Sequence, residues 1–178
     1  MKSPPEAWLR GPIPGYPLEL QPVVHAVLQA QEEIHRLMKG FSADLLWERP
    51  GGMASPGFHL QHIAGVMDRM ATYAKALSLS KEQVDYLKKE GEADMGLTTE
   101  ILLVNLDLQI SVFVQFVAMI DPKTLTDSRA VGRDQLPSSV VGLVFHAAEH
   151  TQRHFGQLLV TAKVLQMQGM IKNEFGNR

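Results

Sequence analysis

The sequence predicts an all-α protein: a four-helix bundle with a short extra helix between the second and third long helices and an extended proline-rich N-terminal arm. Three observations carry this. Four long segments repeat apolar residues with a period near 3.6. Most of them open on Ser or Thr and close near Gly or Pro. No strand-like alternation persists over a comparable length.

Residues 1–17 hold Pro4, Pro5, Pro12, Pro14 and Pro17 with Gly11 and Gly15, so they read as an extended arm. Trp8, Leu9, Ile13 and Tyr16 give the arm an apolar surface to pack on the body. Residues 18–170 are expected to form one bundle domain, and 171–178 a C-terminal tail. The first long helix spans Leu18 to Lys39, with Leu20, Val23, Val24, Val27, Leu28, Ile34, Leu37 and Met38 on its apolar face. Pro22 falls in its first turn and Gly40 is its stop. Ser55-Pro56 is an N-cap and N1 pair for a second helix from Pro56 to Leu77. Ser80 with Gln83 forms a capping-box pattern, opening a short polar helix from Lys81 to Glu90 that Gly91 ends.

Thr98 or Thr99 caps a third long helix that runs to about Ile120, before Asp121-Pro122. This helix is apolar over most of its surface, through Leu103, Leu106, Ile110, Phe113 and Val117 and through Leu102, Leu108, Val112 and Phe116. Such a helix is either central or buried in a subunit interface. Residues 123–137 form a polar connection. Ser138 or Ser139 then caps the last long helix, which reaches about Gln168 before Gly169.

The composition narrows the function. A chain of 178 residues suits one domain with a sizeable core. A net charge of -2 with scattered Lys and Arg argues against a nucleic-acid partner. No apolar run reaches the ~18 residues expected of a membrane span. The N-terminal residues lack a hydrophobic signal core, which makes the cytoplasm the expected location. There is no cysteine, so any metal must be held by His, Asp, Glu or backbone. Any thiol chemistry must bring its sulfur on a small molecule.

Five of the seven histidines fall in two clusters: His59 and His62 on the second helix, and His146, His150 and His154 on the last. Steps of three and four residues put each cluster on one helical face. On the last helix the imidazoles sit within the apolar stripe of Leu143, Ala147, Leu158 and Leu165, so they point into the bundle. A lone histidine on such a face is usually a hydrogen-bonded core residue; five on two faces point to a metal site. Each four-residue step drifts about 40° around the axis, so only adjacent histidines chelate one ion well. The pairs are His146 with His150 or His150 with His154, completed by His59 or His62. Spacing does not choose between them. Thr151 stands where a zinc-protease H-E-x-x-H helix needs its glutamate.

At these residues the chain resembles DinB-like proteins, also called the DinB/YfiT superfamily. Gly57-Phe58-His59-Leu60-Gln61-His62-Ile63-Ala64-Gly65 is similar to that family's second-helix signature. His150-Thr151-Gln152-Arg153-His154-Phe155-Gly156-Gln157 is similar to its last-helix signature, and Trp47-Glu48-Arg49-Pro50 to the segment before helix two. The resemblance implies an up-up-down-down-type four-helix bundle, often dimeric, with a three-histidine metal site. Matched residue by residue, the ligands fall on His62, His150 and His154. His59, His146 and Gln157 are left as residues beside the ligands. Phe155 departs from the arginine often found there, so the resemblance does not carry over an anion contact from that position.

Three neutral imidazoles leave an ion its full charge and an open position, and zinc and nickel both suit such a donor set. Characterised members of the family use low-molecular-weight thiols, so the resemblance implies a metal-dependent thiol S-transferase acting on a small-molecule substrate. One alternative is a metal-dependent hydrolase, for which Asp68, Asp107 or Glu149 would be the base, although each reads more simply as a surface carboxylate. Another is a non-catalytic metal-binding stress-response protein. Asn105 and Gln109 interrupt the apolar stripes of the third long helix and face either a pocket or else solvent or a partner subunit. That helix is the expected homodimer interface.

Overall fold

A computed structural model describes residues 4–175. Its long helices are α1 (Gln21–Met38), α2 (Pro56–Ala74), α4 (Thr99–Ala118) and α5 (Val140–Phe175), with the short α3 (Lys81–Lys89) between α2 and α4. Helix α2 packs on α4 and α5, and α1 packs on the same two, so the four form a closed ring around one core. Val24, Val27 and Ile34 of α1 meet Leu60, Ile63 and Met67 of α2, Leu106, Ile110 and Phe113 of α4, and Val144 and Leu158 of α5. All are essentially solvent-free, and each such side chain contributes about 1.5–3 kcal/mol relative to leaving it in water. The all-α bundle predicted from periodicity is the observed architecture.

The caps act locally and follow the sequence. Ser55 Oγ accepts from the Phe58 N–H at 3.2 Å. Ser80 and Gln83 form the reciprocal capping box. Of the two threonines, Thr98 caps α4 and Thr99 is buried. Of the two serines before α5, Ser139 accepts from the Gly142 N–H.

Helix ends depart from expectation in three places, the first being α1, which begins at Gln21 behind a 3-10 turn at Leu18–Leu20. Helix α2 stops at Ala74, three residues before Leu77. Ala76 takes a left-handed φ of 59°. The N–H groups of Ala76 and Leu77 then turn back to the carbonyls of Tyr73 and Thr72, a Schellman closure without its usual glycine. Helix α5 continues through Gly169 to Phe175, so the expected tail from 171 is helical that far, and residues 176–178 lie outside the described residues.

The polar connection contains an unexpected antiparallel hairpin, Ser128–Val131 paired with Leu136–Ser139. Arg129 Nε donates to the Ala74 carbonyl at 2.7 Å and ties the hairpin to the end of α2. Its strands are four residues long and one contains Pro137, which leaves almost no alternation to read.

The N-terminal arm includes a 3-10 turn at Ala7–Arg10 that the prolines do not announce. It lies along α1: Gln29 Oε1 accepts from the Ala7 N–H, Glu32 pairs with Arg10, and Gln21 bonds the backbone of Ile13 and Tyr16. Ala7, Ile13 and Tyr16 make the apolar contact, whereas Trp8 and Leu9 stay exposed.

Helix α4 is a wall of the ring rather than its centre. It buries Leu102, Leu106, Ile110, Phe113 and Val117 and leaves Ile101, Val104, Leu108 and Val112 as an exposed apolar stripe. By length and composition it is apolar enough to cross a membrane, against the expectation that no run would be. Its Asp107 is paired with His35 of α1 at 2.8 Å and it packs along α1 and α2.

Candidate metal centre

Packing of α2 against α5 sets the two histidine clusters face to face. Ligand atoms of His62, His150 and His154 all lie within 4.8 Å of one another. The Nε2 atoms of His62 and His150 are 2.9 Å apart. The His154 ring centroid is 4.5 Å from that of His62 and 4.5 Å from that of His150. Nitrogen ligands at ~2.0–2.1 Å on a tetrahedral ion stand about 3.3 Å apart, so the His62–His150 pair needs only a slight opening to share one.

His59 lies behind this group. It is 3% exposed, and its Nδ1 is 3.0 Å from His154 Nδ1, so one ring donates to the other. With Nδ1 of His154 engaged in this way, its Nε2 is left for a ligand role. Phe58 stacks on His62 at 5.0 Å, nearly parallel, and closes that side of the cluster. His146 is half-exposed one turn away, with its ring 4.9 Å from His150 and its Nδ1 2.9 Å from Glu149.

His146, Glu149 and His150 form a second group with ligand atoms within 4.8 Å. Arg153 also holds Glu149, at 2.6 Å. Burial works against the Glu149 charge, but Arg153 and His146 outweigh it and keep the carboxyl below its ordinary range. Gln157 is exposed, and no hydrogen bond among the described residues joins it to the cluster. Phe155 packs against the core.

Three of the five clustered histidines, His59, His150 and His154, are held neutral. Burial, then the charge of His62 and His150, pushes His154 down to about 3. Burial and His62 push His150 down to about 4. His59 falls to about 4 for the same two reasons. A neutral imidazole is the ligating form, so these rings need lose no proton near pH 7 to accept a metal. The donor set fits a divalent ion. One atom fits less well: His150 Nδ1 is buried without a hydrogen-bond partner among the described residues.

Sequence reasoning missed both Glu90 and Arg69. Nδ1 of His62 donates to Glu90 Oε2 at 2.6 Å, and Arg69 Nη1 donates to Glu90 Oε1 at 2.6 Å. The side chains of Glu90 and Arg69 are 3% and 7% exposed. A signal for Arg69 was present: it stands seven residues after His62 on an apolar helix, where a buried guanidinium needs a counter-charge.

The other candidate residues lie elsewhere. Asp107 is engaged by His35 and Gln31 of α1. Asn105 and Gln109 line a cleft of about 360 Å³ between α2, α3 and α4, together with Asp68, Tyr86 and Leu108. None of the five clustered histidines lines that cleft.

Two helices thus present imidazoles in the order H-x-x-H and H-x-x-x-H to one point in a four-helix ring. The sequence profile of the DinB superfamily matches residues 26–158 of the 178, a span that includes all five histidines, Arg69 and Glu90. No curated protein matches the chain. With most of its length and both histidine clusters inside the matched region, the chain belongs to the DinB superfamily.

Proposed function

We propose that this protein is a metal-dependent enzyme that transfers a low-molecular-weight thiol to an electrophilic small molecule. The observation that carries the reading is the convergence of His62, His150 and His154 at one point in a chain without cysteine. His62, His150 and His154 would hold a divalent ion such as zinc or nickel, which would keep its +2 charge against imidazole donors and would lower the pKa of a thiol or water brought to it. The residues do the remainder. His62, His150 and His154 supply nitrogen donors, His59 orients His154, and Phe58 shields His62 from water. In the transfer, the thiol proton leaves to solvent, a carbon–sulfur bond forms, and the substrate's leaving group departs or its electrophilic bond opens.

Hydrolysis is the weaker reading because it calls for a free base beside the ion. Glu149 is engaged by Arg153 and His146, Asp107 by His35, and Asp68 lines the separate cleft. The test is metal analysis of protein purified without a His-tag, followed by thiols of several kinds with a model electrophile. Turnover is expected to require both thiol and metal and to be lost in His154→Ala. Equal turnover after chelation overturns the proposal. Ester or amide hydrolysis without thiol moves it to the hydrolase reading. Metal-dependent melting with no turnover of any kind leaves a non-catalytic metal-binding protein.

A further inference from the structure

We infer that Glu90, clamped by Arg69, is a positioning residue that holds His62 as its Nδ1–H tautomer and thereby sets how tightly the centre takes its metal. The inference rests on the metal-centre reading above and extends it to a group outside the histidine motifs.

The tautomer follows from the contact. An ionised carboxylate only accepts, so the 2.6 Å approach of His62 Nδ1 to Glu90 Oε2 puts the ring proton on Nδ1. The lone pair then sits on Nε2, the atom 2.9 Å from His150 Nε2 inside the cluster. Arg69 takes the other carboxylate oxygen at 2.6 Å, which fixes the plane of Glu90 and sets a guanidinium against the buried carboxylate.

The surrounding backbone is shaped to this relay. Gly65 lies one turn after His62, and a Cβ there would fall on Glu90 Oε1 and within 2.5 Å of Arg69 Nη1. Glu90 itself caps the end of α3. That end is pinned to α2 by the Tyr86 hydroxyl donating to the Gln61 carbonyl and by the Gly91 N–H donating to Gln61 Oε1. Gly91 turns with a φ of 83° against Phe58, the ring that stacks on His62. The short inserted helix therefore delivers a carboxylate to the back of a metal-facing imidazole.

Stability alone is a poor reason for this arrangement, because a buried ion pair often does no better than apolar packing of the same volume. A carboxylate behind a metal-ligating histidine does have a function: it fixes the ring and raises its basicity, and losing such a partner typically weakens metal binding roughly 10–100-fold. His150, whose Nδ1 has no partner among the described residues, lacks this support, so His62 is the anchored member of the set.

Two measurements test the inference. Nitrogen-15 NMR of the imidazole rings in the chelated wild-type protein should find His62 with its proton on Nδ1; a proton on Nε2 overturns the assignment and needs no variant. Competition with a chromogenic zinc chelator should find Glu90→Gln binding zinc roughly 10–100-fold more weakly than wild type at unchanged stoichiometry. Tyr86→Phe, which loosens α3 without touching His62, should stay within about twofold of wild type, since it removes no partner of a metal ligand. Wild-type affinity in Glu90→Gln overturns the role in binding. Equal losses in both variants reduce Glu90 to a structural residue and also overturn it. A wild-type protein that binds no divalent metal sinks the metal reading itself, while the tautomer still decides whether Glu90 governs His62.

Discussion

Replacing Gly65 with alanine puts two opposing effects in one methyl group. In a helix interior, alanine is better than glycine by about 0.5–1 kcal/mol, through the entropy glycine loses on folding. At Gly65, however, the added Cβ would sit on Glu90 Oε1, within 2.5 Å of Arg69 Nη1 and 2.9 Å from Tyr86 Cε1. All three are ends of side chains, but Glu90 and Arg69 are buried and bound to each other, so they cannot simply swing into solvent. Overpacking of this kind costs about 1–3 kcal/mol, which outweighs the helical gain. A domain of this size shifts its melting temperature by about 2–4 °C per kcal/mol, so Gly65→Ala should melt several degrees lower than wild type. Gly156 provides the matched comparison. It also lies inside a helix, and a Cβ there meets nothing within 4 Å. Gly156→Ala should therefore melt about 1–4 °C higher, from the helical gain alone. The assay is calorimetry of the chelated proteins, which removes any metal contribution. A Gly65→Ala protein as stabilised as Gly156→Ala would refute the claim that Gly65 is reserved for the Arg69–Glu90 pair.

Two further outcomes follow from the same structure. The chelated protein should lose stability as pH falls from about 6.5 to 5: His59, His150 and His154 have folded pKa values of about 3–4, so at these three positions only the unfolded chain takes up protons in this window. Urea midpoints measured across this range, above most carboxylate titration, should fall with pH, and a flat profile contradicts the neutral-cluster description. The exposed Ile101, Val104, Leu108 and Val112 stripe is proposed as a homodimer face, so sedimentation should find a dimer at micromolar concentration that Leu108→Glu dissociates; a wild-type monomer rules this face out as a self-association surface.

Much of the fold was legible because the interactions that set it are local. Ser55, Ser80 and Thr98 cap their helices through N–H groups three residues away, and the apolar period of each helix already marks its buried face. The features that escaped notice have weak local signals. The end of α2 turns on Ala76, a residue that rarely takes a left-handed φ, and the hairpin strands are too short to show a period.

The sequence by itself determined the bundle, the two histidine-bearing faces and the absence of any protein thiol. It also placed His150 in either chelating pair on the last helix, but a helical face alone left His59 and His62 equivalent, and His146 and His154 as well. Tertiary structure decided which imidazoles meet, because the rotation of α2 against α5 brings ligand atoms of His62, His150 and His154 within 4.8 Å while His59 lies behind His154. It alone decided that Glu90, 28 residues from His62, stands at the back of that ring. The physical reason is range: capping and periodicity act over one or two turns, whereas the Glu90 contact exists only once α3 has docked on α2 and Arg69 has drawn the carboxylate into the bundle.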